Sequence, residues 1–110
     1  MSTHYIPDNW IVIKMDVKDK EVLYKILGGW SGGYLDSDTW RLNSGITKIV
    51  ETDTTYEVHG YSSSVYTCRK GSEQERMNIA GILPSLQEKF KEQATIERVN
   101  MESILEEFTS

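Results

Sequence analysis

The sequence is poor in the residues that mark disulfide-bonded or metal-binding proteins. It has 110 residues with one cysteine, Cys68, and two histidines, His4 and His59. A single cysteine excludes an internal disulfide and fits a reducing compartment. These three residues also do not match any metal-binding motif of recognised spacing. We therefore expect no metal and no other cofactor.

The sequence also lacks long apolar runs and an excess of positive charge. Its longest aliphatic run is Ile11–Ile13, far below the roughly 20 residues of a membrane span. The first ten residues have neither a basic start nor an apolar stretch, so no secretory signal is expected. We therefore predict a cytoplasmic protein with no membrane partner. The net charge of −5 makes nucleic acid an unlikely partner, because phosphate binding depends on lysine and arginine.

The front of the chain has the pattern of an antiparallel sheet. Residues 9–17 place apolar side chains on one face at period two, and Asp53-Thr54 fits a two-residue hairpin loop. Ser62-Ser63 suggests a second tight turn. Five strands are predicted, at 9–17, 21–27, 46–52, 55–61 and 64–69. They form a meander, and curling of this sheet toward a barrel is an alternative.

The two predicted hairpins fix a register. The Asp53-Thr54 loop places Ile49 opposite Val58 and Lys48 opposite His59, and the Ser62-Ser63 turn places Tyr66 opposite His59. This register puts Cys68 and His59 on one face of adjacent strands. A nucleophile–base pair is one interpretation, and a buried structural cysteine is the simpler one.

The remainder of the chain, residues 72–108, is predicted to be helical. Ser72 and Glu75 have the spacing of a capping box, Gly81 fits a helix end, and Pro84 fits the first residue of a second helix. An apolar stripe then runs through residues 85–107 to an acidic tail. A helix of this length, about 35 Å, exceeds what the sheet needs, so self-association through the C-terminal helix is one expectation. The sequence therefore predicts one α+β domain, 1–110, with C-terminal helices packed on one face of a sheet spanning 9–69.

The most distinctive segment is 28–46, in which glycines alternate with large aromatic residues. Its side chains suit a structured binding loop, because tryptophan, tyrosine and arginine dominate protein interfaces. Core packing of the aromatic rings is the alternative. Two aspartates in the same segment suit turn formation, an ion pair with the arginine, or a weak cation site. The candidate binding residues are Trp30, Tyr34, Asp36, Asp38, Trp40 and Arg41.

Two longer runs, GGWSGGYLDSDTWRLNSGITKI and HGYSSSVYTCRKG, resemble small uncharacterised proteins encoded by tailed bacteriophages, including phages of cyanobacteria. The resemblance covers roughly residues 9–83. It implies a phage origin and expression in the cytoplasm of a bacterial host. It implies no activity and no catalytic residues.

These observations predict a noncatalytic module that binds a host or phage protein through residues 28–46. Single-stranded nucleic-acid binding by aromatic stacking is one alternative, and it requires nearby cations. A small hydrolase using His59 or Cys68 is another. The cations that would have to converge on the aromatic rings are Lys25, Arg41, Lys48, Arg69 and Lys70.

Overall fold

The computed structural model describes residues 3–30, 39–75 and 79–109. Within these residues the chain forms eight strands, one short 3-10 helix at Lys70–Ser72 and two α-helices. In chain order the elements are β1 (His4–Tyr5), β2 (Asn9–Val17), β3 (Leu23–Trp30), β4 (Thr39–Leu42), β5 (Ile46–Glu51), β6 (Thr55–Gly60), β7 (Val65–Arg69), α1 (Ile82–Lys89), β8 (Ala94–Val99) and α2 (Met101–Phe108).

The strands form two sheets, so the α+β class is confirmed and the single five-stranded meander is wrong. The first sheet has the order β1-β7-β6-β5 and the second has the order β4-β3-β2-β8. All pairs are antiparallel except β1 with β7. Neither sheet closes into a barrel. The predicted pairing of β3 with β5 does not occur, because β4 pairs with the free edge of β3. The chain then crosses to the first sheet, where β5 begins.

The centre of the second sheet is β2, which pairs with β3 on one side and β8 on the other. Its first five residues are buried on both faces. Ile11 and Ile13 contact the side covered by α1, whereas Trp10 and Val12 contact the first sheet. This alternation follows from the two-residue period of a strand.

The two sheets pack face to face around one apolar core, and α2 completes it. Met101 and Ile104 from α2 are buried there, and the half-buried Phe108 packs its ring at 5.8 Å from Tyr24. Complete burial of one such aliphatic side chain stabilises the fold by about 1.5–3 kcal/mol. The other buried members of this core are Trp10, Val12, Ile26, Ile46, Ile49, Tyr56, Val58, Tyr66 and Cys68.

A second apolar cluster lies on the other face of the second sheet. Leu86 and Phe90 at the end of α1 pack there against a buried group of aliphatic side chains. The chain therefore has three layers, with the second sheet between the first sheet and α1. The buried members of this cluster are Ile11, Ile13, Leu27, Ile79 and Ile96.

The predicted long helix over 85–107 is wrong, because β8 separates α1 from α2. Residues 94–99 contain three β-branched side chains, which favour a strand, and β2 offers a free edge for pairing. The apolar residues assigned to one helical stripe pack inside the chain, at Leu86 on α1, at Phe90 directly after it, and at Met101 and Ile104 on α2. The stripe that suggested self-association is therefore not left without a partner.

The predicted capping box at Ser72 and Glu75 is also wrong. Ser72 ends the 3-10 helix, and Glu75 forms a 3.2 Å ion pair with Arg98 of β8. The neighbouring Glu73 instead accepts a 2.8 Å hydrogen bond from the backbone N–H of Met101. Glu73 therefore caps the first turn of α2 from a distant part of the chain, which also places a negative charge at the positive end of the helix.

The two predicted hairpins have different outcomes. The Asp53-Thr54 loop and its register are confirmed. The second loop is one residue longer than predicted, because Ser63 adopts φ 63° and its N–H donates to the carbonyl of Gly60. This shift puts Val65 opposite His59 and Tyr66 opposite Val58. A one-residue shift exchanges the two faces of a strand, so Tyr66 and Cys68 point into the core.

Candidate functional site

The structure describes three of the six predicted binding residues. Trp30 ends β3, and Trp40 and Arg41 lie in β4. The others, Tyr34, Asp36 and Asp38, lie outside the described residues.

Pairing between β3 and β4 places the three described residues on two faces. Gly28 lies opposite Arg41, and Gly29 lies opposite Trp40. Because paired residues share a face and neighbours alternate, Arg41 is on the same face as Trp30, toward the first sheet. Trp40 is on the α1 face with Leu42, which packs in the α1 cluster. The two tryptophans therefore do not form one flat platform.

A cleft of about 260 Å³ opens at the end of β3 and β4, and we call it the aromatic cleft. Its lining residues are Tyr5, Trp30, Thr39, Trp40 and Arg41. The Tyr5 and Trp30 rings meet edge to face at 6.2 Å, and the Arg41 guanidinium carbon lies 4.7 Å from the centre of the Tyr5 ring. The Tyr5 ring therefore holds the Arg41 guanidinium by a cation–π interaction.

Tyr5 is a site residue that the sequence analysis missed. It belongs to β1, which has only two residues and pairs with Val65–Tyr66 of β7. A strand this short carries no measurable periodicity, so no pattern could identify it. Its ring also contacts Tyr66 at 5.0 Å, which connects the cleft to the core.

A glycine allows the N-terminal segment to reach the cleft. A Cβ atom on Gly28 would lie 3.0 Å from Cβ of Pro7 and 3.3 Å from its Cγ, so a larger residue would displace this segment. The adjacent Ile6 accepts a 3.0 Å hydrogen bond from Nε1 of Trp30 through its backbone carbonyl. The glycine-rich run therefore provides close approach between β3 and the N-terminal segment.

Exposure separates the two tryptophans. Trp30 is half-buried and packs against the sandwich core, whereas 45% of Trp40 is exposed. Arg41 is also exposed, and no carboxylate of the described residues lies within ion-pair distance of it. The residues available to a ligand at this end of the sheet are therefore Trp40 and Arg41, supported by Tyr5 and Trp30.

The structure does not bring His59 and Cys68 together. Tyr56 and Val58 of β6 point inward with Cys68, which places His59 on the opposite face of the first sheet. Cys68 is fully buried, and this burial raises the pKa of its thiol. A buried thiol held in its protonated form is a poor nucleophile.

Of the five predicted basic residues, Arg41 lines the aromatic cleft and the other four do not. Lys70 forms a 2.6 Å ion pair with Glu51, and a hydrogen bond to that carboxylate raises the pKa of Lys70. Lys25 donates to the carbonyl of Asn43, and burial lowers the pKa of its amine. The other two cations are Arg69, which lies 3.8 Å from Asp8, and Lys48, which is on the far edge strand of the first sheet.

Neither a metal site nor a membrane span is seen in the part of the chain that the structure describes. Histidine, cysteine and acidic side chains form no group of three or more able to hold a metal ion there. Both α-helices have eight residues, and no described helix has the length and hydropathy to cross a membrane.

Comparison of this chain with protein-family models, with curated proteins and with solved structures finds no match. The resemblance to tailed-phage proteins therefore stays a prediction, and the function has to be argued from the geometry of the site.

Proposed function

We propose that this protein is a noncatalytic protein-interaction module. It binds its partner through the 28–46 segment, of which the structure describes residues 28–30 and 39–46. The contact surface consists of Trp40 and Arg41 together with the aromatic cleft; we call it the Trp40 surface. The exposed indole of Trp40 carries this proposal, since 45% of a large apolar side chain is left in water at an edge strand. Tryptophan and arginine contribute most to the binding energy of protein interfaces.

A protein partner fits this surface better than a nucleic acid does. The net charge is −5, and Lys70 and Arg69 have carboxylates as neighbours. Stacking of single-stranded bases on Tyr5 and Trp30 would need further cations beside Arg41. Catalysis by Cys68 is disfavoured because its thiol is buried away from His59.

The resemblance of the sequence to tailed-phage proteins supports a more specific version of the proposal. In this version the protein is phage-encoded, works in the cytoplasm of a bacterial host and binds a host or phage protein. The chemistry of the Trp40 surface is the same in either case.

Affinity capture from the lysate of a cyanobacterial host tests the proposal. Tagged wild-type protein is compared with Trp40→Ala, before and after nuclease treatment. We expect a defined protein to be captured by the wild type, to survive nuclease and to be lost with Trp40→Ala. Tyr61→Ala is the matched control, because Tyr61 is 68% exposed but lies in the β6–β7 loop.

The proposal fails if no protein is captured, or if Trp40→Ala and Tyr61→Ala retain the same proteins as the wild type. Recovery of nucleic acid alone would favour the stacking alternative. In that case binding of short single strands should weaken steeply as the salt concentration rises.

A further inference from the structure

The backbone hydrogen bonds of β4 determine which of its groups face solvent. The N–H of Asn43 donates to the carbonyl of Ile26, and Oδ1 of Asn43 accepts from the N–H of Ile26. Position 43 therefore points its backbone toward β3. Because this direction alternates along an antiparallel strand, Arg41 also points inward, whereas Trp40 and Leu42 direct their N–H and C=O groups outward.

The outward groups of β4 lie beside the exposed side chains of Trp40 and Arg41, and none of the other three described edge strands has this arrangement. β8 contacts α1, and the outward-pointing carbonyl of Ile96 accepts a 2.7 Å hydrogen bond from Nε2 of Gln87. The edge strand β5 contacts α2, and both contribute side chains to the same core. The remaining edge strand, β1, has only two residues. Within the described chain, the outward groups of Trp40 and Leu42 have no hydrogen-bond partner.

We propose that β4 binds an extended segment of the partner protein as an added strand, and that this segment has an acidic residue between two apolar residues. The inference rests on the proposed function, because it specifies how the Trp40 surface binds a protein. Strand addition at an exposed sheet edge is a common mode of peptide recognition, in which backbone hydrogen bonds give affinity and side-chain contacts give specificity.

The apolar positions follow from the alternation of β4. Partner residues that exchange backbone hydrogen bonds with Trp40 and Leu42 lie on the α1 face of the second sheet. On that face they meet the exposed Trp40 ring and the half-buried Leu42 side chain. Apolar side chains are therefore favoured at both positions.

The acidic position follows from Arg41. The partner residue between the two apolar residues lies directly opposite Arg41, in a pair without hydrogen bonds, where Cα atoms are about 4.5 Å apart. Its side chain is on the same face as the aromatic cleft. The Arg41 guanidinium is held over the Tyr5 ring and has no carboxylate neighbour among the described residues. A carboxylate there gains a charge-assisted hydrogen bond.

A second copy of this chain is a poorer occupant of the same edge. In the two-fold register that pairs Trp40 of one copy with Leu42 of the other, the two Arg41 side chains lie directly opposite each other. Like charges in this position destabilise a strand pair. The net charge of −5 adds repulsion between copies.

The test begins with selection of peptides from an unbiased displayed library of random dodecamers on immobilised full-length protein. We expect enriched peptides to share an acidic residue between two apolar residues. Against Arg41→Glu, a basic residue should replace the acidic one. The proposal is overturned if no peptide is enriched, or if Arg41→Glu selects the same sequences.

Backbone methylation of the best peptide separates strand addition from side-chain docking. N-methylation of either apolar residue removes a donor to β4 and should weaken binding about tenfold or more, whereas N-methylation of the acidic residue should change it by less than about twofold. Equal effects at all three positions would overturn strand addition. If affinity capture still depends on Trp40 in that case, the proposed function stands and only the mode of binding fails.

Discussion

Trp30 and Trp40 lie on neighbouring strands, but their surroundings give them different roles. Trp30 donates a hydrogen bond to the Ile6 carbonyl and packs against Tyr5, so it holds the N-terminal segment on the second sheet. Trp40 projects from the opposite face and leaves 45% of its surface exposed to solvent. Stability and binding are therefore expected to depend on different tryptophans.

Alanine substitutions test this division. Trp30→Ala should lower the free energy of unfolding by about 2 kcal/mol, because it removes a half-buried ring and its hydrogen bond. Trp40→Ala should change it by less than about 0.5 kcal/mol, as is usual for exposed positions. Urea unfolding followed by circular dichroism measures both values. Equal losses for the two variants would show that Trp40 also belongs to the fold.

The side chains of Cys68 and Tyr66 are buried weak acids, and they make the free energy of unfolding decrease at alkaline pH. Burial raises the pKa of the Cys68 thiol above its ordinary 9.0 and is the main cause that raises the pKa of Tyr66 from 10.0 to about 12. Both groups hold their protons more tightly in the folded state. Their contribution is therefore complete below the unfolded-state pKa values and is lost as the pH rises above them.

We expect the free energy of unfolding to fall from about pH 9 upward, with a slope of up to about 1.4 kcal/mol per pH unit from the thiol alone. Cys68→Ala should reduce this slope between pH 9 and 10. Tyr66→Phe should reduce the slope above pH 10. Urea unfolding at a series of pH values measures the slope of the free energy of unfolding against pH. An unchanged slope in both variants would show that neither group changes its pKa on unfolding.

At the scale of elements, the N-terminus of α2 depends on a residue outside the helix. Asn100 precedes the helix but forms no side-chain capping bond, and Glu73 provides the acceptor for Met101 instead. The backbone of Glu73 also pairs with that of Trp10 in β2 through a single parallel β-bridge. This single residue therefore connects the start of the last helix to the central strand.

Substitution of Glu73 should show that this cap is needed. Glu73→Ala should lower the free energy of unfolding by about 1–2 kcal/mol, because it leaves the Met101 N–H without its partner. Glu73→Gln keeps an acceptor and loses only the charge at the helix end, so a smaller loss of about 0.3–1 kcal/mol is expected. Glu102→Gln is the control, because it removes a negative charge from the first turn of α2 and leaves the Glu73 cap in place. Equal stability of Glu73→Ala and the wild type would contradict this role.

The sequence predicts elements correctly where a turn and an apolar alternation agree. Around Asp53-Thr54, both signals define the β5–β6 register, and the structure confirms it. At Ser62-Ser63 the turn residues suggested two loop positions, but the left-handed Ser63 makes the loop three residues long. The alternation could not correct this error, because both faces of the strand carry apolar side chains.

The helical half was harder to predict because no glycine or proline separates α1 from β8. α1 ends at Lys89, and the turn that follows contains Phe90, Lys91, Glu92 and Gln93. β8 then follows, and it pairs with β2 from the opposite end of the sequence. Pairing across so long a separation is not visible in local patterns. The same limit applies to the aromatic cleft, where Tyr5 comes from β1.

At the scale of the whole molecule, β2 is shared by both apolar clusters and has strands on both sides. Hydrogen exchange should reveal this arrangement. The amides of Ile11, Val12 and Ile13 should exchange only through global unfolding, and thus most slowly. In β4, the amides of Trp40 and Leu42 should exchange faster than that of Arg41, because only the last points toward β3.

Amide exchange followed by NMR measures these rates residue by residue. Fast exchange at Ile11–Ile13 would mean that the second sheet opens separately from the rest of the fold. Equal protection at the three β4 positions would mean that the outward groups are already paired in the free protein, which would also remove the basis for strand addition.

The pairing of β2 with β8 has a consequence for synthesis on the ribosome. β2 is made well before its partner β8, which is the last of the described strands in chain order. Throughout translation of the intervening residues, one side of the most apolar strand has no neighbour, and α1 has no completed surface to dock on. Folding of the second sheet is therefore delayed until β8 has been made, and the nascent chain carries an exposed strand edge until then.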